Sequence, residues 1–439
     1  MKGMSKNMDY YKTISAPLKV QVEMTHNCNS KCLHCYNSRL LEKQQKFVLS
    51  KNQIDRIVEQ LVINQVPSVT LTGGEPLLYF DELKYILSKL RKHNITCRLN
   101  SNLTLMTKEK AHILKELGIH SVLTSCISYD ENTHDFVTQN PGSHKKFIIG
   151  IKHCIAEGIK TTINMVVSKY NYKDILMTGK MASELGAQTF TVTKATPPVG
   201  EDSFDKMAID NLLDTIDQLI QIKEEYGINV DFLECYPLSI FPNENKYSPF
   251  VGRSCTAGIT TCVIGADGQI RPCGHGFQVY GSVFEEELKV IWARMADWRR
   301  GDYLPEICKS CKILSYCSGG CRMEAYARTK NLAALDPWCT GANKDISKLL
   351  ERETEEIEFD KKYKFIKKLF FREEKEGYII VTEDDQTLNV SFSSILLIKY
   401  LSEQNAFSLS DVMYKFNIDK ENLKSFFRIF LSKKIICEC

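Results

Sequence analysis

Between residues 18 and 226 the chain alternates between two hydrophobic periods, and this constrains its fold more than any other feature. LKVQVEM (18–24), SVTLT (68–72), ITCRLN (95–100), SVLTSC (121–126), TTINMVV (161–167) and TFTVT (189–193) are short and rich in β-branched residues, as strands are. Helical stretches lie between them. Residues 80–90 set Phe80, Leu83, Leu87 and Leu90 on one face, and residues 107–117 do the same with Ala111, Leu114 and Leu117 before Gly118. Strand–helix units in series make a parallel sheet with right-handed crossovers. Six units fall short of a closed eight-unit barrel, so the expected class is α/β: a partial (β/α)6 barrel or an open wound sheet.

The rest divides by composition. Residues 1–17 precede the first strand, and 18–226 form the β/α region. Residues 227–345 are rich in turns (PNENKYSP, GADGQIRPCGHG, CSGGC) and poor in periodic segments. Their core is too thin to fold unaided, which makes bound metal a plausible organiser. Residues 346–376 are highly charged and read as a helical linker. Residues 377–439 read as a hairpin turning at Asp384 and Asp385, then three helices with Ser408 and Asp419 as caps, and a short final strand in SKKIICEC.

What the irregular region holds is indicated by cysteine. The chain has 17 among 439 residues, too sparse for a small disulfide scaffold and odd in number. The start, MKGMSKNMDYYKTISAPLKV, has no apolar signal core, and no apolar run is long enough to span a membrane. The expected location is therefore the cytoplasm, where thiols stay reduced and cysteine-rich groups read as metal or redox sites. A net charge of +3 gives no reason to propose nucleic acid or a membrane surface as partner.

Cys28, Cys32 and Cys35 form a C-x3-C-x2-C group directly after the first strand, at the functional end of a parallel sheet. Three thiolates on one loop can ligate three irons of a [4Fe–4S] cluster and leave the fourth open to a chelating ligand. Spacing alone also allows zinc, with His26 or His34 as a fourth ligand. This stretch resembles the radical SAM superfamily signature. The resemblance implies that S-adenosylmethionine chelates the open iron and is cleaved to a 5′-deoxyadenosyl radical. It also implies that His34, in the usual aromatic position, lies near adenine. Thr72-Gly73-Gly74-Glu75-Pro76 follows the second strand and is similar to the loop that holds the methionine amino group. Asn100-Ser101-Asn102 ends the third strand, where the family often has a Thr-Asn-Gly-like turn, and the resemblance places Asn100 among the cofactor contacts; Ser125 ends the fourth strand and Asn164 lies on the fifth, positions that in relatives touch ribose or methionine. The chain departs from the family at Ser125-Cys126-Ile127-Ser128, where many relatives read Ser-Leu-Asp-Gly, so no role passes to that missing Asp.

A second group begins with Cys255, in a C-x12-G-x4-C pattern through Gly268 and Cys273. It continues as Cys308-x2-Cys311-x5-Cys317-x3-Cys321 and, after x17, Cys339. This resembles the SPASM auxiliary-cluster domain, with Cys262 as an eighth thiol. Eight thiolates suffice for two closed [4Fe–4S] clusters. The resemblance implies Cys255, Cys262, Cys273 and Cys321 on one, and Cys308, Cys311, Cys317 and Cys339 on the other. Paired zinc knuckles are the alternative. Cys97, Cys126 and Cys154 read as buried small hydrophobes; Cys235, Cys437 and Cys439 have no assigned role.

The last module resembles a winged-helix-like recognition element of ribosomally made peptides, which grips a leader peptide by strand addition. A DNA-binding winged helix is the competing reading, but helix 420–432 carries only Lys420, Lys424 and Arg428 among Phe426, Phe427, Ile429, Phe430 and Leu431. Together the motifs imply a radical SAM enzyme with three [4Fe–4S] clusters. They imply a precursor peptide with a leader as substrate, a thioether or carbon–carbon crosslink as product, and a flavodoxin or ferredoxin as electron donor. A formylglycine-generating maturase and an iron–sulfur sensor with a DNA-binding tail are the alternatives.

Overall fold

The computed structural model describes residues 10–37, 47–195, 209–351, 356–365 and 368–439. The β/α region forms as the periodicity predicts. Its strands are β1 (Lys19–Glu23), β2 (Ser68–Thr72), β3 (Thr96–Asn100), β4 (Ser121–Ser125), β5 (Lys160–Val167) and β6 (Thr189–Lys194). The helices between them are α1 (Lys51–Ile63), α2 (Phe80–Lys92), α3 (Lys108–Glu116), α4 (Glu131–Thr138), α5 (Ser143–Ala156) and α6 (Ile175–Glu184). Local chemistry sets several starts. Ser50 and Gln53 cap α1 reciprocally, and the Thr107 hydroxyl accepts from the Lys110 N–H at the head of α3. On α2, Leu83, Ile86, Leu87 and Leu90 are buried against the sheet, each burial favouring the fold by about 1.5–3 kcal/mol. β2 is buried at every position, as expected of a central parallel strand covered on both faces.

The sheet is larger than the sequence pattern predicts. α7 (Ile209–Tyr226) leads to β7 (Asn229–Phe232), and the turn-rich region adds β8 (Thr261–Ile264) and β9 (Ile270–Arg271). The strand order is β7-β6-β5-β4-β3-β2-β1-β8-β9. β8 pairs in parallel with β1, and β9 returns antiparallel. The order is that of a partial barrel extended at its β1 edge. β7 and β8 are four residues each, too short to show a period among turn residues. The described remainder of this unit holds mainly short helices, among them α8 (Leu288–Arg294), α9 (Ala296–Arg300) and α10 (Arg322–Thr329).

The chain divides into two compact units, Met1–Glu351 and Arg352–Cys439. In the second unit the expected helical linker is replaced by strands β10 (Lys362–Phe365) and β11 (Leu369–Glu374); residues 352–355, 366 and 367 lie outside the described residues. Alternating charge there follows a strand period. Arg372 and Glu374, two apart and so on one face, are buried together with a 2.8 Å ion pair. β11, β12 (Gly377–Thr382) and β13 (Thr387–Val390) form an antiparallel sheet. Then come α11 (Phe392–Ser402), β14 (Phe407–Ser408), α12 (Leu409–Phe416), α13 (Lys420–Ser432) and β15 (Ile436–Glu438). Ser408 and Asp419 cap α12 and α13, as expected. Ile398, Leu409, Phe427 and Phe430 centre this unit's own core. Among the described residues, no helix is long and apolar enough to cross a membrane.

Candidate active site

Because β1 to β6 run parallel, the loops at their carboxyl ends gather along one edge of the sheet. The loop after β1 carries Cys28, Cys32 and Cys35. It is fixed to the end of α4, where the Lys31 and Leu33 N–H groups donate to the Thr138 and Val137 carbonyls, and the Cys35 N–H donates to the Cys32 carbonyl. The three thiols lie near enough to act on one another electrostatically. Burial pushes Cys28 up to about 11 and Cys32 to about 12, and the neighbouring thiols add to both. Such thiols ionise readily only against a positive centre. Among the described residues, no three His, Cys, Asp or Glu side chains are gathered tightly enough for a single metal ion. Three thiols on one loop match the donor set of a four-iron cluster that keeps one iron open.

Gly73 and Gly74 serve that loop directly. A Cβ on Gly73 would meet the Thr25 carbonyl, and one on Gly74 the Asn27 carbonyl. The Gly74 and Glu75 N–H groups donate to those carbonyls at 2.7 and 2.8 Å. The two glycines therefore seat the cysteine loop against the end of β2. Glu75 is buried, and its carboxylate accepts from the Leu77 N–H (2.9 Å), the Ser101 hydroxyl (2.8 Å) and the Asn102 N–H (2.8 Å). Three of its roughly four acceptor positions are taken, leaving room for one further donor. The Asn102 amide donates to Asn29 Oδ1 at 2.8 Å, beside Cys28.

His34 is half-buried, its buried Nδ1 has no hydrogen-bond partner, and burial lowers it to about 4. It is a neutral ring at neutral pH. Asn100 ends β3 half-buried. Ser125 ends β4 directly opposite Asn164 on β5. The Asn164 amide oxygen accepts from the Thr191 and Thr193 hydroxyls at 3.0 and 2.9 Å, which orients its amide nitrogen the other way.

The later cysteines fall into two groups. Cys308, Cys311, Cys317 and Cys339 line one cavity of about 320 Å³ with Ser239, Gly319 and Gly341. Its sulfurs accept from the Leu238 N–H (to Cys317, 3.4 Å), the Ser239 hydroxyl (to Cys339, 3.5 Å) and the Asn343 N–H (to Cys311, 3.3 Å). At Cys317 burial favours the neutral thiol, and the Leu238 N–H opposes it. In the second group, Cys273 faces Cys255 and Cys321, and its thiol accepts from the His275 and Gly276 N–H groups.

The structure does not bring Cys262 to that group. Cys262 lies on β8 opposite Val20, in a buried cross-strand row with Val69 and Cys97. Its thiol is pushed up to about 12 by burial alone. Cys97, Cys126 and Cys154 are buried core residues.

Several site residues escaped the sequence reading. Lys194 ends β6 and is buried with its Nζ 3.8 Å from Glu324, over the rings of Tyr236 (4.6 Å) and Trp338 (5.1 Å). Burial works against its charge, but Glu324, Glu234 and Asp336 outweigh burial and hold it protonated. Glu234 is pushed up to about 7 by burial. A charged residue ending a strand was the available signal. Arg271 donates to Glu23 at 2.6 Å, tying β9 to β1, and Tyr36 packs edge-on against His275, joining the first and later cysteine loops.

Residues 22–182 match the family model of the radical SAM superfamily, and residues 255–312 match the iron–sulfur cluster-binding domain SPASM. The chain is an enzyme with a radical SAM domain followed by a SPASM domain. The first domain binds S-adenosylmethionine and a [4Fe–4S] cluster; the second binds auxiliary iron–sulfur clusters. Among its relatives is the AdoMet-dependent heme synthase of Methanosarcina barkeri, 24% identical across 74% of this chain and 97% of that protein. Another is the PqqA peptide cyclase of Gluconobacter oxydans, 26% identical across 74% of this chain and 91% of the cyclase. The fold is that of Streptococcus suis SuiB, 22% identical and covering 74% of this chain at TM-score 0.62. SuiB has been solved with S-adenosylmethionine and with its precursor peptide SuiA, with 78% and 76% of those chains covered.

Proposed function

We propose that this enzyme modifies a ribosomally made precursor peptide, leaving a thioether or carbon–carbon crosslink. The observation that carries the reading is the second unit. A three-stranded antiparallel sheet, whose edge strands β11 and β13 pair with no further strand among the described residues, precedes three helices around a separate core. Such an edge can take an extended leader peptide as an added strand. A peptide cyclase relative, and a fold shared with a protein solved with its precursor peptide, support the same class.

In this reading Cys28, Cys32 and Cys35 hold the cluster that binds S-adenosylmethionine. Bound together, cluster and cofactor would supply a 5′-deoxyadenosyl radical; the substrate would give it one hydrogen atom and then, as the crosslink closes, lose a proton to solvent and an electron to an auxiliary cluster. The protein's own residues orient and shield. Gly73 and Gly74 seat the cysteine loop, and Glu75 offers its remaining lone pair to the methionine ammonium. His34 gives a neutral aromatic face beside adenine. Asn100, Ser125 and Asn164 present polar groups to ribose and carboxylate. Cys308, Cys311, Cys317 and Cys339 hold one auxiliary cluster, with Cys255, Cys273 and Cys321 on the other. A flavodoxin or ferredoxin in the reducing cytoplasm supplies electrons.

The test is anaerobic. Reconstituted enzyme, reductant and S-adenosylmethionine are mixed with peptides encoded beside the gene. The expected result is 5′-deoxyadenosine together with a peptide two hydrogens lighter. The heme synthase relative favours a second reading, radical chemistry on a tetrapyrrole side chain. Loss of mass from an iron tetrapyrrole in the same assay, with every peptide unchanged, would establish that reading instead.

A further inference from the structure

The auxiliary group of Cys255, Cys273 and Cys321 lacks its fourth thiol from the motif, because Cys262 belongs to the core row Cys97–Val69–Val20–Cys262. A strand side chain cannot leave that row without turning its neighbours over as well. Another thiol occupies the place. Cys235, in the turn after β7 and outside the cysteine motif, is buried beside both Cys255 and Cys321.

Its backbone is fixed on both sides. Glu234 accepts from the Lys194 N–H and, at 2.7 Å, from the Tyr236 hydroxyl. Three residues on, the Leu238 N–H donates to Cys317, and the Ser239 hydroxyl next to it donates to Cys339. The segment 234–239 therefore runs between the two thiol groups and touches both.

We propose that Cys235 is the fourth thiolate of the auxiliary cluster held by Cys255, Cys273 and Cys321. The inference rests on the reading of those three residues as cluster ligands. Ligation exchanges the Cys235 S–H bond for an S–Fe bond and releases one proton to solvent, with no electron transferred. Four protein thiolates leave that cluster no iron open to substrate, so its work is electron transfer. Segment 234–239 then joins the two auxiliary clusters through a short stretch of backbone.

The experiment starts from the full chain carrying Cys28→Ala, Cys32→Ala and Cys35→Ala, which isolates the auxiliary clusters. After anaerobic reconstitution this parent is expected to hold about eight irons. Adding Cys235→Ala should let mild oxidation remove the unligated iron, leaving about seven irons and the electron paramagnetic resonance signal of a three-iron cluster. Cys235→Ser, which keeps the volume, should give the same signal or a Mössbauer doublet for one oxygen-ligated iron. Cys262→Ala should leave about eight irons and no such signal. Two intact four-iron clusters in both Cys235 variants after oxidation would overturn the proposal. A parent with well under eight irons would instead overturn the auxiliary-cluster reading, and this inference with it.

Discussion

Glu23 illustrates how single residues carry this site. Burial acts to raise its carboxyl, but His26 at 3.7 Å and Arg271 at 2.6 Å outweigh burial and hold it below its ordinary value of 4.5. A lowered carboxylate stabilises the fold above its unfolded-state value, and that contribution is lost as pH falls through the folded one. Glu23→Gln should therefore cost about 3–5 kcal/mol near neutral pH, because Arg271 stays buried without its partner. Denaturant titrations of the two proteins should converge well below pH 4.5; a constant difference would refute the pairing. Gly74 makes a sharper case. A Cβ there meets the Asn27 carbonyl, which is backbone and cannot step aside. Gly74→Ala should lower iron content by about four per chain and leave the auxiliary clusters in place. Iron and sulfide analysis beside the auxiliary-cluster spectrum reads this directly.

Elements decide where charge can be buried. Lys194 ends β6, while its acidic partners come from the turn after β7, from α10 and from the loop at Asp336. Lys194→Met keeps the apolar stem but removes the cation facing Glu234 and Asp336, while Glu324 keeps Arg328 at 3.0 Å. A loss of about 3–5 kcal/mol is expected, smaller in a Lys194→Met/Glu234→Gln double variant, as a double-mutant cycle in urea would show. The strands also explain which elements were legible. β1 to β6 each carry β-branched residues between helices of clear period, and all six were predicted. β8 was not, because TCVI is one short apolar run among turns, and its place beside β1 is a long-range pairing. The charges of β10 and β11 suggested a helix, and burial of Arg372 with Glu374 overrode that local preference.

At the scale of the whole molecule, iron should order the irregular part of the first unit. Residues 255–341 hold four cysteines around one cavity and few long elements, so hydrogen exchange there should be fast in iron-free protein and slow after reconstitution. Residues 369–438 have their own core and should exchange alike in both states. Fast exchange that persists after full reconstitution would show that the clusters do not organise this region. Complete loading should give about twelve irons per chain, and about four would leave only the first cluster. The sequence by itself determined the parallel sheet, the three-cysteine loop after β1, the Gly73-Gly74-Glu75 turn and the C-x2-C-x5-C-x3-C group. Each is a local pattern, readable because ligand spacing and hydrophobic period act over a few residues. Only the tertiary structure decided that Gly74 faces the cysteine loop, that Lys194 meets three acids, and that Cys262 lies in the core while Cys235 meets Cys255 and Cys321. Those outcomes depend on strand register and on chain returning from far away, and no window of sequence contains both partners.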